Sequence, residues 1–204
     1  MKYDFIEIGT SDFATLSEVL GPLEKTGICV EPLSYYLNRV PSFENIIKEN
    51  SAISDRDGEI EIFYCKEEVI AQYRLPYWIR GCNSVGDYHP TVLKEIAKRS
   101  LDKSVISVES VNVMSYETLI RHYNVRSVDV LKIDTEGHDC VILNAMLDFY
   151  DKYGDEYVPP LQIRFEANIL TNKDVLNATL SRLFAADYRV QQRTHEDIVV
   201  CKGQ

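Results

Sequence analysis

Tyr3-Asp4-Phe5-Ile6-Glu7-Ile8-Gly9-Thr10-Ser11-Asp12-Phe13 is the stretch on which the reading of this chain turns. An apolar run ends in an acidic residue, then a glycine and small polar residues, and Leu16, Val19, Leu20 and Leu23 follow at helical spacing. The pattern predicts a first strand, a tight turn and a helix that Gly21-Pro22 closes. In an open α/β sheet that turn lies at the carboxyl end of the strand, where ligands bind, and the N–H groups opening the helix face the same crevice. Gly9, Thr10, Ser11, Asp12 and Phe13 are therefore candidate cofactor contacts.

The missing residues narrow the cofactor. A pyrophosphate binder uses Gly-x-Gly-x-x-Gly, whose second glycine admits the phosphates and whose third lets helix and strand close up. Here Gly9 stands with Ser11 and Phe13 in the downstream places. Glu7, two residues before Gly9, would repel phosphates and hold a cation or a ligand ammonium. S-adenosylmethionine carries an ammonium and a sulfonium and no phosphate. An ordinary strand-turn-helix corner would look the same.

Outward from the first turn, residues 26–30 read as a second buried strand ending in Glu31-Pro32. Glu31 lies 22 residues after Gly9, near the offset at which an acidic side chain meets ribose hydroxyls. A helix-start carboxylate is the alternative. Residues 46–54 contain the next strand, and Asp57-Gly58 signals a hairpin with the alternating run 59–64. That hairpin would set Ala52 and Ile53 at the third sheet position, flat against an adenine ring, although core packing also explains them. Residues 65–90 are the least regular segment, with Tyr73, Tyr77, Trp78, Tyr88 and His89 among prolines and glycines. With Asn83 and Ser84 they read either as a polar acceptor pocket or as a cover for the sheet edge.

Beyond this, 91–98 reads as a helix, 105–113 as a strand, and Ser115 as the cap of a helix over 116–123. Residues 128–133 form a strand that runs into the polar turn Asp134-Thr135-Glu136-Gly137-His138-Asp139, and a helix opens at Cys140. This turn should neighbour the first one where chain order reverses. A fifth strand, 161–166, ends in Glu166-Ala167-Asn168, and a helix over 174–185 precedes two strands, 188–193 and 197–201. Their short connection forces an antiparallel pair. The expected fold is α/β, a Rossmann-like three-layer sandwich around a mostly parallel seven-stranded sheet with a C-terminal antiparallel hairpin, in one domain spanning 1–204.

The formal net charge of -10, from 32 acidic and 22 basic residues, comes without a basic stripe and disfavours nucleic acid as a partner. Five cysteines without a C-x-x-C motif point to buried free thiols in a reducing, cytoplasmic setting. No apolar run approaches the roughly 20 residues of a membrane span. The first strand begins so near residue 3 that the chain reads either as a domain excised from a longer polypeptide, with that polypeptide's other domains as partners, or as a naturally compact enzyme.

With these residues in view, the chain resembles the FkbM family of S-adenosylmethionine-dependent methyltransferases. The resemblance rests on Phe5-Ile6-Glu7-Ile8-Gly9, Val30-Glu31-Pro32, Ala52-Ile53-Ser54-Asp55-Arg56-Asp57-Gly58 and Gly81-Cys82-Asn83-Ser84-Val85. Most specific is Asp129-Val130-Leu131-Lys132-Ile133-Asp134-Thr135-Glu136-Gly137. At Ser11 and Phe13 the chain departs from the family's frequent Asn and Gly. The resemblance implies a class I methyltransferase fold and O-methylation of a hydroxyl on a sugar, glycan or related small molecule. It sets Glu7, Gly9 and Ser11 along the methionine and ribose, Glu31 on the ribose and Ala52 and Ile53 near the adenine. A terminal deoxyhexose such as rhamnose is the expected acceptor if the domain belongs to a glycan-building polypeptide.

Methyl transfer to an alkyl hydroxyl needs in-line positioning and help in removing the proton. Asp134, Glu136, His138 and Glu166 are the candidate catalytic residues, with His138 or a carboxylate as base. Alternatively Asp134, Glu166 and Asn168 hold Mg²⁺ or Mn²⁺, which lowers the acceptor's pKa. His138 also reads as a helix-start residue without a catalytic part, and Lys132 as a strand residue paired with an acid. Two other classes compete: an NAD-dependent oxidoreductase and a non-catalytic module that retains the cofactor fold.

Overall fold

The structure, a computed structural model, describes residues 1–11 and 15–203. The chain forms two compact units, Met1–Gly58 with Asn112–Gln204, and Glu59–Val111. The first unit opens with β1 (Lys2–Ile8), α1 (Leu16–Leu20), β2 (Gly27–Val30), α2 (Ser34–Leu37), β3 (Ile46–Glu49) and β4 (Ala52–Ser54). The second comprises most of β5 (Gly58–Tyr64), then α3 (Glu67–Gln72), β6 (Ser84–Val85), α4 (Pro90–Ala97) and the first part of β7 (Ser107–Ser115). The chain then returns to the first unit through α5 (Tyr116–His122), β8 (Ser127–Ile133), α6 (Asp139–Tyr153) and β9 (Gln162–Glu166). It ends with α7 (Lys173–Ala185), β10 (Tyr188–Arg193) and β11 (Asp197–Lys202).

The first unit is α/β, built on a seven-stranded sheet ordered β10-β11-β9-β8-β1-β2-β3. Strands β3, β2, β1, β8 and β9 run parallel, and β11 is antiparallel to both of its neighbours. This arrangement is compatible with a Rossmann-like fold. Strands β1 and β2 are buried on both faces, as parallel strands covered on two sides must be. Ile6, Ile8, Ile28 and Val30 join the core that also takes in Leu119, Ile142, Leu143 and Leu183. Phe5 and Cys29 join a second cluster with Val40, Ile46 and the α1 residues Leu16 and Leu20. Gly27 follows from that packing, because a Cβ there would lie 2.2 Å from the Phe5 ring.

Helix α1 starts at Thr15, whose hydroxyl accepts from Glu18 N while the Glu18 carboxylate accepts from Thr15 N, a closed capping box. The helix ends in a 3-10 turn at Gly21–Leu23, and Val19 and Leu23 stay 62% and 64% exposed, so only part of the predicted apolar stripe is buried.

The next strand lies within residues 46–54, as expected: β3 stops at Glu49, and the Asn50 amide turns back to donate to the carbonyls of Glu31 and Pro32, both at 2.9 Å. Two local expectations are corrected. Asp57-Gly58 does not close a hairpin that sets Ala52 and Ile53 beside β3. Strand β4 pairs in parallel with the end of β7, Ile53 opposite Met114. The Asp57 carboxylate instead accepts from Ser115 N at 2.7 Å and Thr118 Oγ1 at 2.9 Å, fastening the start of α5. β5, which Gly58 opens, is not a neighbour of β4, since β7 lies between them. Residues 65–90 are more regular than expected, since α3, a 3-10 turn at Tyr77–Gly81, β6 and the start of α4 lie in them. They carry a core of their own, in which Cys65, Ile70, Leu75 and Ile79 meet Val92, Ile96 and Ile106.

The remaining elements fall where the sequence places them. Ser115 caps α5 by accepting from Thr118 N, as expected. All five cysteines are free, and Cys29, Cys65 and Cys140 are buried. Among the described residues no helix is long and apolar enough to cross a membrane.

Candidate functional site

Strand β1 lies between β2 and β8, so chain order reverses there and the turns after these strands border one crevice at the carboxyl edge of the sheet. Gly9 N and Thr10 N donate to Val30 O at 2.9 and 3.2 Å, and Asp134 N donates to Ile8 O at 2.9 Å. Gly9 has φ 80°, and a Cβ on it would lie 2.0 Å from Asp134 O. The two turns thus touch backbone to backbone, and glycine is required at position 9 on both counts.

Glu7 and Lys132 are register partners on β1 and β8. Glu7 is fully buried, its Oε1 accepting from Lys132 Nζ at 2.7 Å and its Oε2 from Leu16 N at 2.6 Å at the start of α1. Burial raises the Glu7 pKa, and Lys132 opposes the rise. The expected pairing of Lys132 with an acid is what the structure has. Both Glu7 oxygens serve the protein itself. Glu31 is used in the same way, Oε2 accepting from Ser11 N at 2.8 Å and Oε1 from Leu33 N at 3.0 Å. Thr10 Oγ1 and Ser11 Oγ are buried and have no hydrogen-bond partner among the described residues. Asp12 and Phe13 lie outside the described residues. Ala52 and Ile53 are 8% and 3% exposed, and Ile53 belongs to the main core.

The opposite lip is richer in acids. Asp139 at the start of α6 is fully buried, and burial pushes its pKa up to about 6. Its Oδ2 accepts from Thr135 Oγ1 at 2.8 Å and its Oδ1 from Glu166 N at 2.9 Å, so it latches the turn after β8 to the end of β9. Its place in the first helical turn was legible, but its two partners stand four residues before it and 27 after. Glu166 is pushed up to about 9, first by burial and then by Glu136, Asp134 and Asp139. Its Oε2 is buried without a hydrogen-bond partner among the described residues. Asp134 is raised as well, chiefly by burial, although Lys132 Nζ stands 3.8 Å from its Oδ2. Glu136 and Gly137 bend the turn with φ 50° and 94°. Asn168 uses its Oδ1 to accept from Leu170 N at 2.8 Å.

His138 precedes α6 without capping it; its Nε2 lies 2.9 Å from Ser54 Oγ. Burial lowers its pKa, against the pull of Asp55 and with the push of Arg56. In the second unit, Tyr77 and Trp78 are exposed, Tyr88 rests on Phe63 with centroids 4.7 Å apart, and His89 Nδ1 accepts from Thr91 N at 3.1 Å.

The structure therefore brings together Gly9, Ser11, Glu31, Asp134, Glu136, His138 and Glu166 on the turns of one sheet edge. An edge with several carboxylates and few cations suits a cationic ligand and opposes a polyphosphate. No family model, curated protein or solved structure matches this chain.

Proposed function

We propose that the chain is an S-adenosylmethionine-dependent O-methyltransferase acting on a hydroxyl of a sugar, glycan or related small molecule. The observation that carries this reading is the acidic crevice edge, with Glu31 at the end of β2 and Asp134, Glu136 and Glu166 after β8 and β9. The strand order, with β11 antiparallel between β9 and β10, supports a class I methyltransferase fold ending in a hairpin. The sugar acceptor, a deoxyhexose such as rhamnose among them, comes from the resemblance to the FkbM family alone.

The residues fit the cofactor. Thr10 Oγ1 and Ser11 Oγ are buried polar atoms without partners among the described residues, which a ligand's carboxylate or ammonium would satisfy. Glu31, at the end of β2 and next to Pro32, is the residue that would meet the two ribose hydroxyls. Glu7 acts from behind, holding Lys132 and the start of α1 in place. S-adenosylmethionine supplies the electrophilic methyl on its sulfonium.

His138, its pKa lowered by burial, is the group that takes the acceptor's proton. Glu166, protonated near neutrality, donates a hydrogen bond rather than accepting that proton. The acids of this edge also fit a hard cation, which Asp134, Glu166 and Asn168 would hold and which would lower the pKa of the acceptor hydroxyl.

The test is isothermal titration of the purified chain with S-adenosylhomocysteine and separately with NAD, with and without Mg²⁺ or Mn²⁺. Saturable binding of S-adenosylhomocysteine and none of NAD is expected. Binding of NAD alone, or of neither ligand, overturns the reading.

A further inference from the structure

The environment of His138 settles more than its presence near the crevice. Its Nε2 lies 2.9 Å from Ser54 Oγ, and the Ser54 hydroxyl lies 3.0 Å from Asp55 Oδ1. A serine hydroxyl has one proton to give. An ionised carboxylate accepts and cannot donate, so the proton of Ser54 goes to Asp55. The Ser54 oxygen is then left as an acceptor, and the only proton that can fill the contact with His138 is one on Nε2. Nδ1 is consequently the nitrogen with the lone pair, and it has no hydrogen-bond partner among the described residues.

Three features make the arrangement a built one. Ser54 is 4% exposed, at the end of β4, where parallel pairing with Ser115 on β7 fixes its backbone. His138 is held by the backbone bonds that start α6, its carbonyl accepting from Val141 N at 3.0 Å. Two segments 84 residues apart in sequence therefore meet through one hydroxyl. Among the described residues the charges that act on the ring are those of Asp55 and Arg56, themselves paired at 3.7 Å.

We infer that Ser54 and Asp55 are positioning residues, an Asp55–Ser54–His138 relay that locks His138 as its Nε2–H tautomer and presents Nδ1 as the proton acceptor of the site. The assignment of a catalytic part to Nδ1 rests on the methyltransferase reading; the tautomer does not. The logic is that of any base whose second nitrogen is fixed by a hydrogen bond, since the bond selects which atom is free to react.

The experiment is long-range ¹H–¹⁵N NMR of the imidazole nitrogens in the histidine-labelled full chain, without added ligand. The His138 signals are identified by their loss in His138→Gln. The expected wild-type result is a single Nε2–H tautomer. In Ser54→Ala that single-tautomer signature is lost, and Ser54→Thr, which keeps the hydroxyl, restores it. Asp55→Ala, at an exposed position, removes the acceptor of the serine proton and also abolishes the bias, so the inference stays testable if Ser54→Ala does not fold. An Nδ1–H tautomer in the wild type, or one unchanged in both Ser54→Ala and Asp55→Ala, overturns it. In turnover assays Ser54→Ala lowers kcat and leaves the affinity for S-adenosylhomocysteine unchanged. If the NMR signature holds and no hydroxylated acceptor is methylated, the methyltransferase reading fails and the relay stands.

Discussion

Glu7 and Glu31, behind the first two parallel strands, differ from Asp134 and Glu166 across the crevice in how their charge is met. Glu7 is fully buried, yet a lysine and a backbone N–H occupy its two oxygens. Glu31 has a backbone N–H on each oxygen. Glu166 has an oxygen with no partner among the described residues and sits in the field of three other acids. The first pair is held in place by the fold, each oxygen already accepting a hydrogen bond from the protein. The second is a region where burial and neighbouring acids oppose ionisation, the condition expected where a ligand, a cation or a proton is to be taken up.

The largest effect is expected on the satisfied side. Lys132→Ala leaves Glu7 buried opposite an empty place, and breaking a buried pair from one side costs about 3–5 kcal/mol. Glu7→Ala is expected to cost less, because Lys132 is partly exposed and has Asp134 at 3.8 Å as a second partner. Urea unfolding of both variants gives the order. The Lys132→Ala deficit should shrink as pH falls and Glu7 takes up a proton; equal deficits at all pH values would break the distinction between the two sides.

Gly9→Ala tests the place where the two sides meet. The left-handed backbone costs about 1–2 kcal/mol for an L-residue, and forcing a methyl against Asp134 O adds about 1–3 kcal/mol. The turns after β1 and β8 must separate, so cofactor affinity falls together with stability. A variant that loses stability and keeps its affinity would place the ligand contacts away from this junction.

The parts of this molecule that were legible are those whose signal is local. The apolar run before Gly9 and the alternation of turns and amphipathic segments from 128 to the end announce a parallel sheet, and Lys132 announces a charge partner. Misreadings arose where the partner is distant. Asp57-Gly58 has the chemistry of a hairpin turn, but the carboxylate is used by Ser115, 58 residues on, and β4 pairs with a strand equally remote. Residues 65–90 fold into elements of two to six residues, too short to display a helical or strand period. The crevice acids were legible as residue types, whereas the roles of Asp139 as a latch and Ser54 as a hydrogen-bond bridge exist only once β4, β8 and β9 are brought together.

The smallest effect is also the one that separates the two sides by sign. Glu166 has a folded pKa of about 9 against an ordinary 4.5. Between those values the unfolded chain has released the proton and the folded chain still holds it, so stability falls as pH rises through this window. Asp139, raised to about 6, adds to the fall over the lower part of the window. Glu166→Gln keeps the size and the hydrogen-bonding end of the side chain and removes the titration. Near pH 8 it is expected to stabilise the chain by about 1–2 kcal/mol, well below the full linkage value because the side chain is partly exposed and solvent screens it. Near pH 4 it should have little effect. Thermal unfolding across that range, compared with the wild type, reads the slope directly. Removal of Lys132 destabilises where removal of the Glu166 carboxylate stabilises, and a Glu166→Gln variant weaker than wild type at pH 8 would mean that this carboxylate, like Glu7, is satisfied by the fold.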